Sequence, residues 1–308
     1  MCEEATKDQA AILPPHVGMG GTMRLRYPYN EKINSFREWD HYHEPGPGEP
    51  DTLPSHRFWT WGVLNRPAEF PVGDCMEGNW FGCSQADLDD IFDCDKPIID
   101  ETIGKYLGAM HGIGNEPNYA SSITAKNYAY QFHKYEQYIH SVDPMAQIMF
   151  GGITSWGPWE DWTIAFIEEL QSYHTPFPDI WDIHPYVDAW PDGEASANGG
   201  IEFVIKFRAF LEDQGYGNVP MIFGEFGDPT AVNKAADIVD YAETFCDWIV
   251  ANQESKNIIG WYWWGSSSVA MGNAGLFDAN RNITPVGEAY IKHCGLRDHK
   301  IYMPLILK

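Results

Sequence analysis

The chain has 308 residues, 44% of them apolar and 15% aromatic, enough to bury a full core in one domain of barrel size, for which roughly 250 residues is typical. Twenty basic against 44 acidic side chains give a formal charge of -24, which disfavours nucleic acid and anionic lipid surfaces as partners and suits a neutral or cationic one, although adaptation to solvent or salt reads equally well. No apolar run approaches the roughly 18 residues of a membrane span, and no internal repeat or low-complexity tract is present.

In chain order, residues 17–26 and 57–64 read as strands and 78–82 as a short third candidate, with Pro/Gly-rich loops where helices would be expected. Residues 84–107 read as helical in part, interrupted near Pro97. From residue 106 onward, short apolar runs alternate with amphipathic segments, the signal of βαβ units around a parallel sheet. A strand over 106–113 ends at Gly114-Asn115-Glu116-Pro117. The helix over 124–142 follows, with Tyr128, Phe132, Tyr135 and Ile139 at helical spacing. Next come a strand over 147–153, a helix over 160–173, and a strand over 180–187 that carries Asp182-Ile183-His184-Pro185-Tyr186. A helix over 201–214 is stopped by Gly215 and Gly217. The strand over 220–223 ends at Gly224-Glu225, a helix covers 234–251, and the Trp-rich stretch 258–264 is the last strand. A final helix starts near Thr284-Pro285, where proline at the first helical position is favourable. The tail 301–307 reads as an apolar extension packed on the barrel.

The pattern predicts an α/β fold, a (β/α)8 TIM-type barrel with a degenerate, loop-rich first half. One catalytic domain spans 1–308, with the loop-rich part over 1–105, regular βα units over 106–294 and an extension over 295–308. The expected state is a monomer.

Glu116 and Glu225 each fall just past the C-terminal end of an inferred strand, the face on which catalytic groups of such barrels gather. Three βα units separate them, which sets them across the central cleft from one another. Cleavage of a glycosidic bond needs such a carboxyl pair, one to protonate the leaving oxygen and one to act at the anomeric carbon. The 13 Trp, 16 Tyr and 16 Phe exceed what the core requires, and aromatic rings suit the C–H faces of sugars. Trp156 and Trp159 in Ser-Trp-Gly-Pro-Trp read either as an outer sugar subsite or as a cap on the barrel. Trp59, Trp61, Asn65 and Arg66, around an early strand, read either as sugar-binding or as packing.

No phosphate-binding loop, dinucleotide fingerprint or Gly-x-Ser-x-Gly elbow occurs, and no cofactor is expected. His41, His43, Glu44 and His56 match no definite zinc spacing and read as solvated loop residues, so no metal is expected. The six cysteines, Cys2, Cys75, Cys83, Cys94, Cys246 and Cys294, include no Cys-x-x-Cys pair and suit disulfides in an oxidising compartment. Cys246 and Cys294 lie on the last two predicted helices, where they could pair. Residues 1–20 show no basic stretch followed by an apolar run, so the expected extracellular location comes without a visible leader.

With Asn115-Glu116-Pro117, His184-Pro185-Tyr186, Gly224-Glu225-Phe226-Gly227 and Trp261-Tyr262-Trp263-Trp264-Gly265 at successive strand ends, residues 106–294 resemble the clan A glycoside hydrolases. In that clan an Asn-Glu-Pro after the fourth strand supplies the acid/base and a Glu after the seventh supplies the nucleophile. The loop-rich first half is similar to the reduced barrels of the clan, such as the family 128 β-1,3-glucanases. The resemblance implies a retaining, endo-acting hydrolase of a β-linked polysaccharide or oligosaccharide, with Glu116 as acid/base and Glu225 as nucleophile. It also implies that Asn115 bonds the sugar 2-hydroxyl, that Tyr186 orients Glu225, and that His184 lines the wall between the carboxylates. Trp264, or its neighbour Trp263, would form the platform under the reacting sugar. A catalytically silent carbohydrate-binding barrel and a transglycosylase using the same residues are the alternative expectations.

Overall fold

A computed structural model describes residues 16–20, 35–39, 57–61, 83–105, 107–119, 123–186, 192–228, 233–264, 272–278, 280 and 282–294. The candidate strand at 78–82, the linkers between the first three strands, Asn65, Arg66 and the extension over 295–308 lie outside these residues.

Eight parallel strands close into a barrel in sequence order. They are β1 (His16–Gly20), β2 (Ser35–Trp39), β3 (Arg57–Trp61), β4 (Met110–Ile113), β5 (Gln147–Thr154), β6 (Ile180–His184), β7 (Met221–Phe226) and β8 (Ile258–Trp264). Closure is made by β8 against β1, where Gly260 to Trp264 pair in register with His16 to Gly20. Around them stand α1 (Gln85–Lys105), α2 (Ala125–Val142), α3 (Trp159–Ser172), α4 (Gly193–Asp213), α5 (Ala235–Asn252) and α6 (Pro285–His293). None of the described helices is long and apolar enough to cross a membrane.

Strand alternation sorts the core into two layers. Met110, Met149, Ile180, Ile222 and Tyr262 form a small cluster inside the barrel. Their neighbours on the same strands, among them Ile113, Phe150, Trp181, Ile183, Phe223, Trp261 and Trp263, join the larger cluster between barrel and helices. Helix α2 begins on Thr124, whose hydroxyl accepts from the Asn127 N–H, and it buries Tyr128, Phe132, Tyr135 and Ile139. Those are the four positions whose spacing predicted it.

Several elements differ from the sequence reading. Strand β2 carries Arg37 and Glu38 within five residues and has none of the apolar continuity expected of a parallel strand. Helix α1 runs unbroken through Pro97, which lies on its exposed face, where the carbonyl it leaves unpaired can be hydrated. Helix α4 starts eight residues before the predicted position, capped by Asp192 accepting from the Ala195 N–H. Its first two turns hold Gly193, Gly199 and Gly200, poor helix formers on propensity alone. Close packing explains two of them. A Cβ on Gly193 would sit 1.8 Å from the Asp237 carbonyl oxygen of α5, and one on Gly200 would sit 2.7 Å from that of Pro185.

Cys246 of α5 and Cys294, which caps α6, are both fully buried and joined by a disulfide across a Cα–Cα distance of 4.7 Å. Cys83 is also disulfide-bonded.

Candidate active site

Strand pairing shifts register once between β5 and β6 and twice between β7 and β8, and two of these shifts bear on the site. On β5, Phe150 and Ile153 face Trp181 and Ile183 of β6, so three steps on one strand match two on the other. On β7, Phe223 and Phe226 likewise face Trp261 and Trp263 of β8. Each is one extra residue in the manner of a β-bulge. Regular alternation from Ile222 would turn Glu225 toward the helices. The extra residue instead leaves Phe226 in the helix-facing core and brings Glu225 over the barrel mouth.

Glu116 reaches the same place from the turn after β4. Its φ of 45° lies in the left-handed region that non-glycine residues seldom occupy, and the surrounding bonds hold it there. The Glu116 N–H donates to the Gly151 carbonyl at 2.8 Å, and its own carbonyl accepts from the Tyr119 N–H at 2.9 Å. Buried Asn118 clasps Thr154, accepting from its N–H and donating to its carbonyl, both at 3.0 Å. Tyr128 extends the β4–β5 ladder from α2, donating to the Ile113 carbonyl at 2.7 Å and accepting from the Gly151 N–H at 2.9 Å. Burial raises the Tyr128 pKa, so the hydroxyl keeps the proton it donates.

His184, the last residue of β6 and fully buried, stands between the two glutamates. Its Nδ1 is 2.8 Å from Glu116 Oε1 and 3.7 Å from Glu225 Oε2. Tyr186 donates to Glu225 Oε2 at 3.1 Å. Burial, followed by the charges of Glu225 and Glu116, holds the Tyr186 hydroxyl well above the ordinary tyrosine range, so it too remains a donor. One oxygen from each glutamate and the His184 nitrogen lie within 4.8 Å of one another. A cation could enter this set only after Nδ1 of His184 had lost its proton.

The remaining candidates divide. Trp156 stacks on Tyr186 with ring centroids 5.5 Å apart and 21° between planes, and Tyr119 flanks it at 5.4 Å. Asn115 and Trp264 are both half-buried, beside Glu116 and at the end of β8 respectively. Trp263 must be corrected. It is fully buried in the helix-facing layer against Phe226, Tyr241 and Tyr290, with its indole N–H donating to the Ala274 carbonyl at 2.9 Å. Alternation on β8 assigns it that side, and it cannot lie under a sugar. Trp159 opens α3, half-buried, and packs 5.4 to 5.6 Å from Phe203, Phe207 and Phe210 of α4. Trp61 ends β3, paired with Ile113.

Sequence reasoning passed over Asp182, Asn118 and Tyr128. Asp182 left a readable signal, since a carboxylate two residues before His184 on one strand shares its face.

No family model matches the chain, and no curated protein matches it. Solved structures do. A family 128 (subgroup II) endo-β-1,3-glucanase from Sorangium cellulosum is similar with a TM-score of 0.60 at 15% identity, over 90% of this chain and 98% of that one. A subgroup I endo-β-1,3-glucanase from Amycolatopsis mediterranei, solved with laminaritriose and laminaribiose, gives 0.54 at 12% identity, over 91% and 99%. A subgroup VII oligosaccharide-binding protein from Trichoderma gamsii gives 0.52 at 13% identity, over 86% and 88%. At these identities the likeness extends to the fold: this chain folds as the family 128 barrels do.

Proposed function

We propose that the protein is a retaining glycoside hydrolase acting within chains of a β-linked glucan, with Glu225 as nucleophile and Glu116 as acid/base. The observation that carries this reading is the carboxylate pair at the C-terminal mouth of the barrel, with oxygens within 4.8 Å. Retaining enzymes hold their carboxyls about 5–5.5 Å apart, whereas inverting ones leave several ångströms more for a water.

In the first step Glu225 attacks the anomeric carbon, the glycosidic C–O bond breaks, and the Glu116 proton passes to the leaving oxygen. In the second, Glu116 takes a proton from water, the water oxygen attacks the same carbon, and the bond to Glu225 breaks. Tyr186 donates to Oε2 of Glu225 and so fixes the orientation of the carboxylate that attacks. Asn115 is assigned to the sugar 2-hydroxyl, Trp264 to the reacting sugar, and Trp156 with Tyr119 to an adjoining one. The substrates named for the similar structures make β-1,3-linked glucan the first to test.

Reducing-sugar release from β-1,3-glucan, xylan, mannan and galactan identifies the substrate, and product length separates internal from terminal cleavage and hydrolysis from transglycosylation. A 2-fluoro glycoside of the accepted sugar should label the Glu225 peptide in a mass spectrum, and labelling elsewhere refutes the assignment. A protein that binds oligosaccharide yet releases no sugar is instead a binding barrel. We also propose secretion, which the buried Cys246–Cys294 disulfide supports.

A further inference from the structure

We infer that Asp182 is a positioning residue that keeps His184 doubly protonated, giving the two glutamates a shared, buried cation and fixing which oxygen of Glu116 carries its proton.

On β6, Ile180 belongs to the barrel interior whereas Trp181 and Ile183 face the helices. Asp182 and His184 therefore rise above Ile180 on the inner face, with side chains 2% and 0% exposed. A carboxylate at that depth is costly unless bonded and neutralised. Asp182 Oδ1 accepts from the Gly224 N–H at 2.6 Å, and Oδ2 lies 3.7 Å from Nε2 of His184. At the other end of the ring, Nδ1 is 2.8 Å from Glu116 Oε1 and 3.7 Å from Glu225 Oε2. A neutral imidazole has one N–H and one lone pair, and here either tautomer would point its lone pair at a carboxylate. With acceptors at both ends, both nitrogens hold protons.

Burial alone would strip the ring of its charge. The charges of Glu225 and Asp182, each 3.7 Å from a ring nitrogen, and the hydrogen bond to Glu116 outweigh it and raise the pKa to about 10. Among the described residues, the titratable groups facing His184 are Glu116 after β4, Asp182 and Tyr186 of the β6 segment, and Glu225 of β7. Tyr186 stays neutral, and β5 presents Gly152.

The backbone makes room for this pair. A Cβ on Gly152 would lie 2.4 Å from His184 Nε2, and one on Gly224 would lie 2.3 Å from Asp182 Oδ2. Any side chain at either position would displace the dyad. Because Glu116 Oε1 accepts from His184, the acid proton belongs on Oε2, which makes Oε2 the oxygen that would serve a leaving group. This catalytic consequence rests on the hydrolase reading, whereas the charge on His184 does not.

Asp182→Asn preserves the acceptor for Gly224 and turns an amide N–H2 toward Nε2, which then needs a lone pair. In protein carrying 15N-labelled histidine, with His184 assigned by its absence from His184→Gln, both ring nitrogens should resonate as protonated from pH 5 to 8.5. In Asp182→Asn one of them should become unprotonated within that range. A singly protonated His184 in the unaltered protein, or a doubly protonated one in Asp182→Asn, overturns the inference. Should Asp182→Asn fail to fold, Asp182→Ser, which leaves space for water beside Nε2, is held to the same outcomes.

On an accepted glucan, loss of the nearby cation should move both limbs of the kcat/KM pH profile of Asp182→Asn upward, by roughly one unit. A lower kcat with unmoved limbs would make Asp182 merely structural. An unaltered protein that cleaves no glycoside refutes the hydrolase reading and leaves the NMR result to stand by itself.

Discussion

His111 of β4 and His184 of β6 are both fully buried in one barrel wall, yet their pKa values are pushed in opposite directions. His111 alternates with Met110 and so shares the helix-facing side with Ile113. There burial, followed by the charge of His140, pushes its pKa down to about 3, and it is neutral. His184 faces inward among three carboxylates, and its pKa is raised to about 10. Depth of burial is the same, so the neighbours decide the charge. Over β4 to β8 the helix-facing side is mainly apolar and carries the fold, whereas the tops of β6 and β7 and the turn after β4 gather the charged groups that the chemistry would use.

The largest expected effect comes from neutralising the inner side. Glu116→Gln should cut hydrolysis of an unactivated glucan by about 10²–10⁴. An aryl glycoside with a good leaving group should be largely spared, and an equal loss on both substrates would deny Glu116 the role of acid.

On the outer side, Trp263→Ala should remove about 3–5 kcal/mol of stability in chemical denaturation. An unchanged denaturation midpoint would contradict its place in the core. Tyr128→Phe tests the seam between the layers: it strands the Gly151 N–H and should cost about 1–3 kcal/mol, with kcat falling further than stability explains because Glu116 loses its support.

The smallest effect is in pH dependence. A folded-state pKa of about 3 against an unfolded value of 6.5 means that the unfolded chain binds the extra proton between those limits. His111 therefore takes away stability as pH falls from 6.5 toward 3, by up to ~1.4 kcal/mol per pH unit, and His111→Gln should flatten that part of the curve. For His184 the sign is reversed. Its contribution is full below pH 6.5 and is lost as pH rises toward 10, so His184→Gln should weaken the protein most in mildly acidic solution.

Strands β4 to β8 were legible because their apolar runs are continuous and their ends carry distinctive tripeptides. β2 was not, since Arg37 and Glu38 interrupt any periodicity and only pairing with β1 and β3 defines it. The glycine-rich start of α4 was hidden for a related reason: it is helical because α5 and the β6 loop approach too closely for side chains, a fact of tertiary packing. Of the site, Glu116 and Glu225 were readable as strand-end residues. Asn118 and Tyr128 were not, because their hydrogen bonds run to backbone groups 36 and 15 residues away. Trp263 was misassigned because four consecutive aromatics at the end of β8 give no clue to their phase until the register is known.

The extra residues in β5 and β7 have a consequence for how such a barrel can change. Which way a strand residue faces is a matter of parity, odd or even, counted from the last fixed contact. Adding or removing one residue reverses the parity of everything above it and leaves everything below untouched. Glu225 faces the mouth because β7 has one residue more than its partner between Phe223 and Phe226. A single-codon insertion or deletion at a strand top can therefore expose or hide a carboxylate while the lower barrel keeps its contacts.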